Sequence, residues 1–154
     1  MNEVTIRPPN GAAEWDDYYR LRWEWLREPW GQPCGSERDE HEEQAQHLLA
    51  EQDGEIVGIG RIHPLGAGDW QIRYMAVRED CRGKGIGGAV LSGLLESVRA
   101  QGAERVVLNA REGAAGFYQG RGFEVTGEGP LMFGEIRHLR MERRVGEAGW
   151  PGPP

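Results

Sequence analysis

The sequence predicts an α/β layered domain on a mixed, mostly antiparallel sheet of about seven strands flanked by about four helices. Three observations predict it. Short strands joined by hairpin signals fill the N-terminal half. A strand, a glycine-rich loop, an amphipathic helix and a second strand occupy residues 70–110. A short glycine-bounded helix and a closing hairpin follow.

"EVTIRP", Glu3 to Pro8, reads as a strand stopped by Pro8-Pro9. "EWDDYYRLRWEWLREPW" repeats Trp, Tyr and Leu at three- and four-residue spacing and predicts a helix that Pro29 ends. Asp16 and Asp17 suit its first turn and Arg27 its last. "GQPCGSERDE" reads as a loop leading into a second, polar helix, with Ser36 as N-cap and Asp39 three residues on. His41 and His47 are expected to be solvated on that helix. Strands at Leu48–Glu51 and Glu55–His63 flank Asp53-Gly54, a strong hairpin signal. "WQIRYMAV", Trp70 to Val77, alternates and then turns continuously apolar. Ile86, Val90, Leu91, Leu94, Leu95 and Val98 form a helical stripe that Gly102 closes. "RVVLNA", Arg105 to Ala110, is a buried-type strand. "EGAAGFYQGRG" is a short helix, and "FEVTG" and "EIRHLRMERRV" are the last strands. Residues 1–146 are thus expected to form one domain, and 147–154, a Pro/Gly tail, to be disordered.

Bulk properties exclude several classes. The chain has 154 residues and a net charge of −7, which disfavours nucleic acid and anionic membranes as general partners. No apolar run approaches the roughly 20 residues of a membrane span. "MNEVTIRPPN" has no signal-peptide pattern. Two cysteines, Cys34 and Cys81, make no disulfide framework, so a reducing cytoplasm is the expected location. No His/Cys/Asp cluster has metal-ligand spacing, and no metal is expected.

Glycine weakens regular structure, yet Gly83, Gly85, Gly87 and Gly88 crowd the start of the apolar helix. A strand, a glycine loop and a helix N-terminus make an anion site, because the first N–H groups of a helix lack intrahelical partners and the dipole adds positive charge. Arg82 and Lys84 add charge, so the expected ligand is a phosphate or pyrophosphate. The P-loop pattern fails, because Gly85 follows Lys84 where a hydroxyl is needed. The dinucleotide pattern is met formally by Gly83, Gly85 and Gly88. Five residues separate that loop from Val77, however, and the next strand ends at Asn109 without an acid for a ribose. A third pattern, [QR]-x-x-G-x-[GA], is met by Arg82, Gly85 and Gly87. A plain glycine-rich turn is the competing reading.

"YMAVREDCRGKGIGGAVLSGLLESV" followed by "FYQGRGFE" resembles the GNAT acyltransferases, and the resemblance runs from about Val4 to Val145. "YYRLRWEWLREPWGQPCGSERDE", "NARE" and "IRH" further resemble the acyltransferase half of bacterial proteins that join a GNAT domain to a thioesterase domain. Here the acyltransferase part alone is expected. The resemblance implies acetyl-CoA as acyl-donor cosubstrate and a V-shaped opening between Trp70–Val77 and Arg105–Ala110. The backbone of Met75, Ala76 and Val77 would pair with pantetheine amides. Amides of Arg82, Gly83, Lys84, Gly85, Ile86, Gly87 and Gly88 would hold the pyrophosphate.

The same resemblance assigns Tyr118 the proton for the departing thiolate. The family often has an Asn at the start of that helix to contact the cofactor. This chain has Arg111 there and Asn109 two residues earlier, and either could contact the coenzyme. The family often places a Glu on the fourth strand as base, but "WQIRYMAV" has none. Arg73 stands in its middle, where it would favour an acceptor bearing a carboxylate or phosphate, or pair with a carboxylate such as Glu135. Glu135 and His138 on the closing hairpin are the base candidates, with His63 behind them. The Trp/Tyr cluster of the first helix shapes either core or acceptor pocket. The reading is an N-acetyltransferase acting directly on an amine of a small molecule or peptide. A non-catalytic acyl-CoA sensor and a nucleotide-dependent oxidoreductase are the alternatives. A homodimer is compatible with this fold, whose terminal strands often pair.

Overall fold

The protein, here a computed structural model, is described over residues 2–146; the predicted tail lies outside them. β1 (Thr5–Arg7), β2 (Gln46–Gln52), β3 (Glu55–Gly66), β4 (Asp69–Val77), β5 (Arg105–Arg111), β6 (Glu124–Glu128) and β7 (His138–Arg144) form one sheet in the order β1-β2-β3-β4-β5-β7-β6. Only β4 and β5 run parallel; the other neighbours are antiparallel. The α-helices are α1 (Ala12–Leu26), α2 (Ile86–Arg99) and α3 (Ala115–Gln119). The hairpin at Asp53-Gly54 forms as expected, both residues having positive φ and Gln52 facing Glu55. Among the described residues no helix is long and apolar enough to cross a membrane.

The expected polar helix after Ser36 is absent: residues 31–45 form consecutive turns. Local side-chain bonds displace the helical ladder. Glu37 accepts from the Gly35 amide, Asp39 from His41 and Glu42 from Asp39. Asp39 and Glu42 are also drawn inward by arginines of α1 and the sheet. His47 accordingly sits on β2, opposite Arg61, and is buried rather than solvated. Residues 135–137 are also not strand. Paired backbone bonds between Met132 and Ile136 close a turn over 132–136, and β7 begins only at His138.

The α2 stripe packs on one face of the sheet. Val90, Leu91, Leu94, Leu95 and Val98 meet Ile62, Ile72, Val106 and Leu108 there. α1 covers the other face, with Tyr18, Leu49 and Ile59 as its apolar centre. Helices are held to sheets mainly by such burial.

The sheet splits at its parallel seam. β4 and β5 pair from Asp69–Arg105 to Ile72–Leu108 and no further. Beyond that point β4 bonds only β3, and β5 bonds only β7. A bulge lies at the split, where the β3–β4 register shifts between Ile59 and Arg61 and Tyr74 adopts φ 61°. Gly60 permits it, because a Cβ there would lie 2.7 Å from Met75 Sδ and 2.8 Å from Val90 Cγ1.

Candidate active site

The split opens into two cavities that share a wall. The larger, about 790 Å³, runs from Met75, Ala76 and Val77 across residues 82–88 to Phe117 and Arg121. Gly85 is the N-cap of α2 in the left-handed conformation (φ 82°), which turns the chain into the helix. No side chain caps α2, so its first-turn amides are open to an anion. Of the residues expected around the coenzyme, Met75, Ala76, Val77, Arg82, Gly83, Gly85, Ile86, Gly87, Gly88 and Arg111 line this groove; the Lys84 side chain does not, and Asn109 lines the other cavity. Cys81 is buried in the groove wall, its thiol 3.5 Å from Asp80. Cys34 is exposed.

The smaller cavity, about 240 Å³, lies on the other side of the split. Its floor is Ile72, Arg73, Leu108 and Asn109. Arg27 and Leu26 come from the end of α1, and Pro130, Met132, Phe133 and Ile136 form a roof from the turn before β7. Phe133 stacks on Trp30, tying this roof to the chain after α1. Leu26, Met75, Arg111, Ala114 and Tyr118 line both cavities.

Tyr118 is therefore at the junction, buried on α3 between Phe117 and Phe123. Burial alone pushes its phenol up to about 12, so it is a neutral O–H at any physiological pH. His138 opens β7 in register with Arg111. Its Nδ1 lies 3.1 Å from the carbonyl oxygens of Pro130 and Ile136. Carbonyls only accept, so Nδ1 carries the proton and Nε2 keeps a free lone pair in the neutral ring. Glu135, three residues away, is exposed and lines neither cavity. The structure thus brings His138 and Tyr118 together and leaves Glu135 outside, because the 132–136 turn points its polar edge to solvent.

Arg73 does not pair with Glu135. It donates to Asp39 at 2.9 Å, part of a network the sequence did not reveal. Arg61, fully buried on β3, grips Asp39 with both terminal nitrogens (2.6 and 3.0 Å) and Glu42 at 2.6 Å. Arg22, fully buried on α1, donates to Glu42 and Tyr18. These guanidinium groups hold the carboxyls of Asp39 and Glu42 below the usual range despite burial. His63, expected as a remote base candidate, is buried in the same network. It accepts from Arg61 at Nδ1, stacks on His41, and its Nε2 is enclosed without a partner. Burial and Arg61 lower it to about 4, and it lines neither cavity. The spacing of Asp39 from Arg61 and Arg73 gave no local signal for this assembly. Among the described residues, no three His, Cys, Asp or Glu side chains are grouped to hold a metal ion.

Known proteins share this fold. The family model described as "Acetyltransferase (GNAT) family" matches residues 15–123. YyaT of Bacillus subtilis is 29% identical over 71% of this chain and 72% of its own. An L-methionine sulfoximine/L-methionine sulfone acetyltransferase of Pseudomonas aeruginosa is 33% identical over 51% of this chain, which spans half the length of that relative. The crystal structure of Escherichia coli ElaA superposes with a TM-score of 0.78, covering 93% of this chain and 99% of that one at 21% identity.

Proposed function

The chain belongs to the acetyltransferase (GNAT) family, and on that premise we propose that it moves the acetyl group of acetyl-CoA directly to an amine of a small molecule or peptide. One observation carries this reading: the sheet splits so that a groove at the uncapped N-terminus of α2 and a smaller cavity meet at Tyr118. The groove fits a phosphate-bearing coenzyme on its own features, with uncapped α2 amides, Arg82 beside them and the free edge of β4 leading inward. The coenzyme would supply the thioester.

The residues then divide the proton work. The amine's lone pair forms the C–N bond as the C–S bond breaks. The nitrogen's surplus proton passes to His138 Nε2. The departing sulfur takes the Tyr118 proton, and the phenol is restored from His138 through solvent, so the products are an amide and a free thiol.

Tyr118→Phe tests the assignment. Turnover should fall about 10²- to 10⁴-fold, while acetyl-CoA affinity measured by calorimetry stays within threefold (~0.7 kcal/mol). Undiminished kcat would remove Tyr118 from the reaction. The sensor reading keeps one supporting observation: the only carboxylate of β4, Asp69, lies at its far end, bonded to Arg105. It requires acetyl-CoA binding with no thiol release from any amine.

A further inference from the structure

The charges around the acceptor cavity do not balance. Its charged lining residues are Arg27, Arg73 and Arg111, with no Asp or Glu among the described residues. Arg22, Arg27, Arg61 and Arg73 surround the Tyr74 ring at 4.2, 5.4, 4.8 and 4.8 Å from its centroid. Among the described residues only Asp39 and Glu42 answer these four cations, and both are already held by Arg61. Arg27 is 7% exposed. It donates to the carbonyls of Ser36 and Leu26 and, among the described residues, to no carboxylate. The chain as a whole carries −7, so this local excess opposes the background charge.

A buried cation without a counter-ion is costly. Burial together with Arg73 and Arg22 holds Arg27 below the usual guanidinium value. A negative group in the cavity would complete the pairing. The pyrophosphate of the coenzyme is not that group, since its groove lies across the split, and Arg111, which borders both cavities, is left out of the assignment. The cavity's volume of about 240 Å³ is smaller than ordinary drug-sized pockets of roughly 300 Å³ and more. Its roof of Met132, Phe133 and Ile136 is apolar.

We propose that the acceptor is a small amine that also bears a carboxylate, held by Arg27 and Arg73 with its apolar part under the roof. A planar carboxylate matches the guanidinium fork. The proposal rests on the acyltransferase reading above, so its test must separate the two.

Acetyl-CoA binding is measured first by calorimetry. Thiol release is then followed with glycine, L-alanine, L-leucine and L-phenylalanine, each against its amide, and with the phosphonate analogue of leucine. At least one carboxylate is expected to exceed its amide tenfold or more in kcat/KM. Arg73→Gln, at a partly exposed position, should lower that value roughly 10- to 100-fold and shrink the preference over the amide to within threefold (~0.7 kcal/mol). Arg27→Gln should do the same, with circular dichroism reporting its fold. If acetyl-CoA does not bind, the enzyme reading itself fails. If it binds and amides react as fast as carboxylates, or Arg73→Gln slows both alike, this proposal is overturned and the enzyme reading stands. A tenfold preference for the phosphonate overturns the carboxylate. If no amine turns over, titration of the four amino acids into the coenzyme A complex decides. Binding weakened tenfold by Arg73→Gln supports the proposal, and no binding sinks it.

Discussion

The two faces of the sheet are built from different interactions. Under α2, the deepest side chains are Val90, Leu91, Leu94, Leu95 and Val98, all at most 1% exposed. Under α1, equally deep positions hold Arg22, Arg61 and His63 beside Tyr18, Leu49 and Ile59. Apolar burial is non-directional, and its result is a plain packed layer. A buried ionic layer is directional: each guanidinium must find its acceptor at fixed geometry. The α2 face holds the sheet together at the split. The α1 face reaches the split too, and there it leaves Arg27 and Arg73 at the cavity. Bulging at Tyr74 joins the two, sending Arg73 to Asp39 and Tyr74 beneath Arg22 while Met75 lies against Gly60 on the opposite face.

Substitutions on each face test this contrast. Arg61→Met should have the largest effect, about 3–5 kcal/mol, because Asp39 and Glu42 stay buried with a partner removed. Urea midpoints at constant slope measure it. A loss under about 1 kcal/mol would mean that the α1 face does not depend on its central cation. Leu94→Ala should cost about 2–5 kcal/mol, and this loss should be the same at pH 5 and pH 8, since no titrating group is touched.

His63→Gln should have the smallest effect at neutral pH but a distinct pH signature. The folded ring titrates at about 4, below its ordinary 6.5. The unfolded chain therefore binds the extra proton between those values. Stability from neutral His63 is complete above pH 6.5 and is lost as pH falls toward 4, on the order of 2–3 kcal/mol. Asp39 and Glu42 act lower down, their contribution disappearing only below the unfolded carboxylate range. His47, also lowered, contributes in the same direction as His63. The substituted protein should show a flatter stability profile between pH 4.5 and 6.5. An unchanged slope there would show that His63 is not the group being titrated.

What was legible along the chain was local. The α2 stripe, the Asp53-Gly54 hairpin and the glycine loop each lie within one short window, and each formed where expected. The site divided along the same line. The groove residues within 82–88 follow one another in sequence, so their common location at the start of α2 could be read before folding. His138 and Glu135 looked equivalent on an imagined strand, and only the turn over 132–136 separated a cavity residue from an exposed one. The helix expected after Ser36 failed because its acids had partners 19 to 34 residues away.

By itself, the amino-acid order determined the order of the seven strands, the apolar side of α2 and the glycine loop before it. Periodicity and turn chemistry act over a few residues, and they needed nothing from elsewhere. Only the tertiary structure decided that α1 would meet the sheet partly through arginines, that residues 31–45 would be pulled into turns, and that the smaller cavity would be cationic in an acidic protein. Charges pair by distance in space, and that distance is set only once the sheet has closed.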